Sequence, residues 1–168
     1  MIKSFDGKSP KIADSAFVSK AAHVIGDVEI GEHSNVLTGA VLRGDFAKIT
    51  IGCHICIEEN CVVHGATDIN IGDRVIVGHG AVVHCRRIGN NVLIGNNATV
   101  LDDAEIDDFC VVAAGSVVAP GTKIPANSLA MGVPARVRGR VSAEQLTWLE
   151  HATAFNAKLG EMYKKHGL

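Results

Sequence analysis

One aliphatic side chain recurs every six residues along most of this chain, and that period constrains the fold more than any other property. The series runs Ile12, Val18, Val24, Ile30, Val36, Leu42, resumes after an insertion of three at Ile51, Ile57, Val63, and after an insertion of two at Ile71, Val77, Val83. One residue is then lost, and the series continues through Ile88, Ile94, Val100, Ile106, Val112, Val118 and Ile124. Four residues after most of these nineteen anchors stands a small residue, as at Ala22, Ser34, Ala40, Cys61, Ala81, Ala98, Ala104, Cys110, Ser116 and Thr122. Neither the helical period nor simple strand alternation generates this pattern.

A six-residue unit with one large and one small inward side chain is a short strand followed by a corner, and three such units close a triangular coil. Nineteen anchors predict about six coils. Stacked as parallel strands roughly 4.8 Å apart, the coils satisfy one another's backbone groups, so no unit is stable alone. Gly52, Gly72, Gly89 and Gly95, each one residue past an anchor, mark tight corners where a Cβ is costly. Composition agrees: aromatic residues are only 4% of a chain that is 47% hydrophobic, so small and β-branched side chains must fill the interior.

The period therefore predicts a mainly β chain: a parallel β-helix of hexapeptide repeats over residues 1–128, a connecting loop over 129–141 and a helix over 142–168. The segment Ala-Met-Gly-Val-Pro-Ala at 130–135 leaves the period. Ser142 and Gln145 form a capping box, and Leu146, Leu149, Phe155, Leu159 and Met162 predict an apolar stripe that packs along the prism.

A formal net charge of −2 offers no basic field for nucleic acid or for an anionic membrane surface. Lys3, Asp6, Lys8, Lys11 and Asp14 interrupt residues 1–20, so no apolar signal segment is expected there, no later run is long enough to span a bilayer, and a cytoplasmic location is expected. Five cysteines, an odd number, read as reduced thiols. Cys53 and Cys56 form a C-x-x-C pair, but no second pair lies at zinc-ribbon spacing.

Counting three anchors per coil stacks Leu42, Val63 and Val83 on one face. The residues that follow them, Arg43, His64 and His84, form an outward column, since an inward anchor has outward neighbours. On the preceding face Ile57 and Val77 stack, which puts Glu58 on the outer surface and Glu59 directly below His79. Histidines one coil apart can share a metal. His79, near a corner, diverges from the other two within one convex prism. A threefold ring of chains would let the His79 of one copy meet His64 and His84 of the next. Three neutral nitrogen ligands with an open fourth position describe a catalytic zinc site rather than a structural one. The single histidines His23, His33, His151 and His166 read as solvated side chains.

At these residues the sequence resembles the γ-class carbonic-anhydrase-like branch of the hexapeptide-repeat proteins. The resemblance is carried by Leu-Arg-Gly-Asp (42–45), Cys-Val-Val-His (61–64), Gly-His-Gly-Ala-Val-Val-His-Cys (78–85) and Gly-Val-Pro-Ala (132–135). It implies a left-handed β-helix and a homotrimer with zinc, or alternatively iron or cobalt, between subunits. It also implies reversible hydration of CO2 to bicarbonate. By position, His64, His79 and His84 are similar to the family's metal ligands, and Arg43 and Asp45 to its interface ion pair. Glu58 and Glu59 stand where the family usually has Gln-Asp, and would orient water or relay protons. The loop that carries a shuttle glutamate in the family's type enzyme is reduced here to residues 65–70, and Phe155 replaces a helix tyrosine. Two other functions stay open: acyl-CoA thioesterase or acyltransferase chemistry on the same fold, and a non-catalytic metal-binding trimer.

Overall fold

The computed structural model describes all 168 residues as a three-sided parallel β-solenoid of about seven turns, closed by one C-terminal helix. Every anchor predicted from the period lies in one of three inward columns. The first stacks Val24, Leu42, Val63, Val83, Val100 and Val118, with the exposed Ile2 pairing onto Val24 at its open end. The second stacks the seven isoleucines from Ile12 to Ile124. The third runs from Val18 through Val36, Ile57, Val77, Ile94 and Val112 to Ala130. Ile2 and Ala130 thus complete the faces, and the expected six coils become about seven. Both ends escape a search for large aliphatic side chains at fixed spacing, because Ala130 is small and ten residues separate Ile2 from Ile12.

The small residues four positions after the anchors are buried, except for partly exposed Thr122, so each coil fills its triangle with one bulky and one small side chain. Ordinary strand-corner alternation does the rest. The glycines after the anchors serve a different need from left-handed torsion. A Cβ on Gly52 would stand 2.8 Å from Gly72 O, and one on Gly72 would stand 2.9 Å from the Gly89 carbonyl. They are glycines because the next rung's backbone passes too close for a side chain. The left-handed torsions fall instead on corner residues such as His54, Arg74, Asn91 and Phe109.

All three irregularities of the period occur at one corner, between the first and second columns. There the anchors are separated by nine, eight and five residues at Leu42 to Ile51, Val63 to Ile71 and Val83 to Ile88. The strands His23–Ile30 and Val41–Ile51 run round this corner without a break, which joins two faces into a 12-stranded sheet. The corner that varies in length is therefore the one immediately downstream of Arg43, His64 and His84.

The stretch 129–141, expected as a loop, is a correction: Ser128–Gly132 and Ala135–Arg140 pair as an antiparallel hairpin. Ala130 still occupies the last rung, and the return strand covers the end of the sheet where backbone groups would otherwise lack partners. The helix Ala143–Lys165 starts with the predicted capping box, Gln145 N–H donating to Ser142 Oγ and Ser142 N–H to Gln145 Oε1.

Its seam departs from the predicted stripe. The buried residues are Leu149, Thr153 and Gly160, whereas Phe155 and Met162 are 63% and 54% exposed. The helix backbone approaches the sheet so closely that small residues are required: a Cβ on Gly160 would overlap the Asn35 side chain, whose Nδ2 donates to Asn156 O. Gly160→Val is expected to destabilise docking by about 1–3 kcal/mol through overpacking, and faster proteolytic release of the helix than in wild type is the check.

Candidate metal centre

The rung register delivers the histidines in two clusters on either side of the first face. Leu42, Val63 and Val83 point inward, and the residues after them emerge as a column in which the His64 and His84 rings lie 5.2 Å apart between centroids, tilted by 55°. Arg43 binds Asp45 through a short Nη1 to Oδ2 contact, and Asp45 Oδ1 stands 3.2 Å from His64 Nε2. The exposed Phe46 ring meets His64 edge-on at 6.1 Å. His84 Nδ1 lies 3.0 Å from Asp102 Oδ1.

The second cluster surrounds His79, on the corner between the third and first columns. Because Ile57 pairs with Val77, Glu59 sits under His79, and its Oε2 is 2.7 Å from His79 Nδ1. Glu58 Oε2 accepts the His79 backbone N–H at 3.1 Å and stands 3.1 Å from His79 Nε2. Every imidazole of the predicted trio therefore faces at least one carboxylate, the pairing that orients metal-binding histidines.

Burial sets the protonation pattern. Desolvation, followed by the Arg43 guanidinium, holds the His64 ring below the usual imidazole range, which favours the neutral form a metal requires. Desolvation pushes the Asp45 carboxyl up, but the Arg43 hydrogen bond and the N–H groups of Asp45 and Phe46 outweigh it and leave the carboxyl below its ordinary range. Half-buried Glu58 is raised, first by desolvation and against the pull of His79. All five cysteines are free, and burial raises Cys61 to about 11 and Cys85 to about 12, which keeps those two as protonated thiols.

The structure thus brings Arg43, Asp45, His64 and His84 together, and separately joins Glu58, Glu59 and His79. Within one chain, no three His, Cys, Asp or Glu side chains are placed to hold a metal. Asp102 was not singled out from the sequence. It lies two residues past an anchor, at the corner that follows His84 one rung on, and that phase was the available signal. Beside Glu58, the residues Ile76, Trp148, His151, Phe155 and Asn156 line an open cavity of about 400 Å³ between sheet and helix. No helix is long and apolar enough to cross a membrane.

A three-sided solenoid of hexads defines a hexapeptide-repeat protein, and residues 87–120 match the family model for the bacterial transferase hexapeptide (six repeats). A carbonic anhydrase of Geobacillus kaustophilus is 37% identical over 98% of this chain and 91% of its own length. Mitochondrial gamma carbonic anhydrase 2 of Arabidopsis thaliana is 35% identical over 97% of this chain, which spans 61% of that longer relative. A hexapeptide transferase family protein from Anaplasma phagocytophilum superposes with a TM-score of 0.93, at 33% identity and over 96% and 97% of the two chains. The chain belongs to the γ-class carbonic-anhydrase-like family of hexapeptide-repeat proteins.

Proposed function

We propose that this chain is a metal-dependent carbonic anhydrase of the γ type, assembled as a homotrimer whose metal sites lie between subunits. The observation that carries the reading is the neighbouring pair His64 and His84, one rung apart with rings 5.2 Å between centroids and each backed by a carboxylate. The donor set fits a zinc-type cation, with iron or cobalt as alternatives, because imidazole nitrogen suits all three metals. His64 and His84 of one copy would be joined by His79 of the next, since the corner position of His79 turns it away from the other two. Such a cation supplies the acidity that makes water a nucleophile toward CO2 near neutral pH, chemistry for which carbonic anhydrases are the standard example.

The chain's own residues then have separate tasks. Glu59 holds the proton on His79 Nδ1 and so leaves Nε2 as the ligating nitrogen. With a metal held at that nitrogen, Glu58 Oε2 would stand beside the reacting water. A carboxylate at that position could accept the proton released and pass it on. Arg43 holds Asp45, Asp45 steadies His64, and the two also face the neighbouring copy.

Purified protein loaded with metal under anaerobic conditions is expected to hydrate CO2 at a rate well above that of His84→Ala, with one metal bound per chain. No rate above the variant removes the enzyme reading. The likeness to a hexapeptide transferase family protein supports acyl-CoA thioester chemistry as the second reading. Thioester turnover without CO2 hydration would select that reading, and stoichiometric metal with no turnover would select a non-catalytic trimer.

A further inference from the structure

We propose that Asp102 is a positioning residue for His84, fixing the ring tautomer that leaves Nε2 free for a zinc-type cation. The inference rests on the metal-centre reading above and assigns a role to a residue outside the proposed ligand set. His84 Nδ1 and Asp102 Oδ1 are 3.0 Å apart, an ion-pair contact in which the carboxylate's charge favours a proton on Nδ1 over one on Nε2. The His84 backbone N–H donates to Val100 O at 2.8 Å. Main chain and ring are therefore both tied to the rung that carries Asp102.

The three histidines differ in what their carboxylates occupy. Asp45 faces Nε2 of His64, and His79 has a carboxylate on both nitrogens. Only His84 has its carboxylate at Nδ1 alone, with Nε2 left clear. An imidazole whose Nδ1–H is donated must present its lone pair at Nε2, and the acceptor also raises the basicity of the ligating nitrogen. Nε2 of His84 is thus already open to a cation, whereas at Nε2 of His64 and of His79 a carboxylate must first give way. As a merely structural contact, a pair with Asp102 side chain 55% accessible would contribute little to stability. Its influence should instead appear in metal affinity.

The test compares zinc affinity, by competition with a chromophoric chelator, in full-length wild type, Asp102→Asn and Asp103→Asn. Asp103 is the adjacent exposed acid, in a left-handed conformation that asparagine tolerates, so its variant removes the same charge without touching His84. The Asp102→Asn dissociation constant is expected to rise roughly ten- to hundred-fold, and the visible bands of its cobalt-loaded form to shift, with circular dichroism and assembly mass unchanged. Asp103→Asn should match wild type in all of these. Asp102→Ser carries the same expectation should the amide disturb the corner. Equal affinity in Asp102→Asn and wild type, or equal weakening in both Asn variants, overturns the positioning role alone. A wild-type protein that takes up no stoichiometric zinc overturns the metal centre and this role together.

Discussion

Chains carrying His79→Ala and chains carrying His84→Ala, mixed and reassembled, should recover zinc sites and CO2 hydration that neither variant possesses alone. Each variant by itself lacks one of three imidazoles at every site, and losing a ligand from such a set leaves little affinity at physiological metal concentration. In a mixture, a complete site forms wherever a His79→Ala chain, which keeps His64 and His84, meets a His84→Ala chain, which keeps His79. For random assembly in equal amounts around a threefold axis, that occurs at roughly a quarter of the contacts. Zinc content and hydration rate should therefore both return to about one quarter of wild type. The separation of the two clusters within one chain leads to this expectation, since no three metal-capable side chains converge there. A mixture as inert as its parents would show that the three histidines do not meet across a subunit boundary.

Ile94→Ala is expected to destabilise the solenoid by about 2–5 kcal/mol, lowering the melting temperature by roughly 10 °C at fixed protein concentration. Ile94 is completely buried between Val77 and Val112 in the third column. Its strand is held on both sides, Gly78 N–H donating to Ile94 O and Gly95 N–H to Val112 O, each at 2.8 Å. Rungs pinned this way cannot collapse into the space the side chain leaves, so the cavity penalty adds to the lost burial. Thermal unfolding followed by circular dichroism checks it. A shift of only a degree or two would mean that neighbouring rungs relax more freely than their ladder bonds imply.

These two experiments probe features with different origins. The inward columns were readable because a β-solenoid is nearly one-dimensional: each rung repeats the same local geometry, so spacing along the chain maps directly onto stacking in space. The same mapping placed His84 above His64 and His79 above Glu59, both as found. It failed where the repeat ends. Ala130 is an anchor without the expected bulk, and the hairpin from Ser128 to Arg140 is held by pairing back onto the last rung rather than by a hexad.

The helix shows the second kind of failure. Hydrophobicity favoured a seam of Leu, Phe and Met, but the helix backbone approaches within reach of Asn35, and Gly160 and Thr153 are buried there instead. Phe155 is consequently displayed beside Glu58 rather than buried.

Asp102 belongs to the same category. Its phase two residues past Val100 was legible, but that its carboxylate turns to His84 Nδ1 rather than to solvent is a side-chain contact that spacing does not specify. Period and phase alone were thus enough to specify the rungs, the inward columns and the imidazole register, since those follow from local spacing repeated along an axis. Which nitrogen each carboxylate holds, how the helix seats and how the last rung is capped arise from contacts between segments that the repeat does not relate, and they required the folded chain.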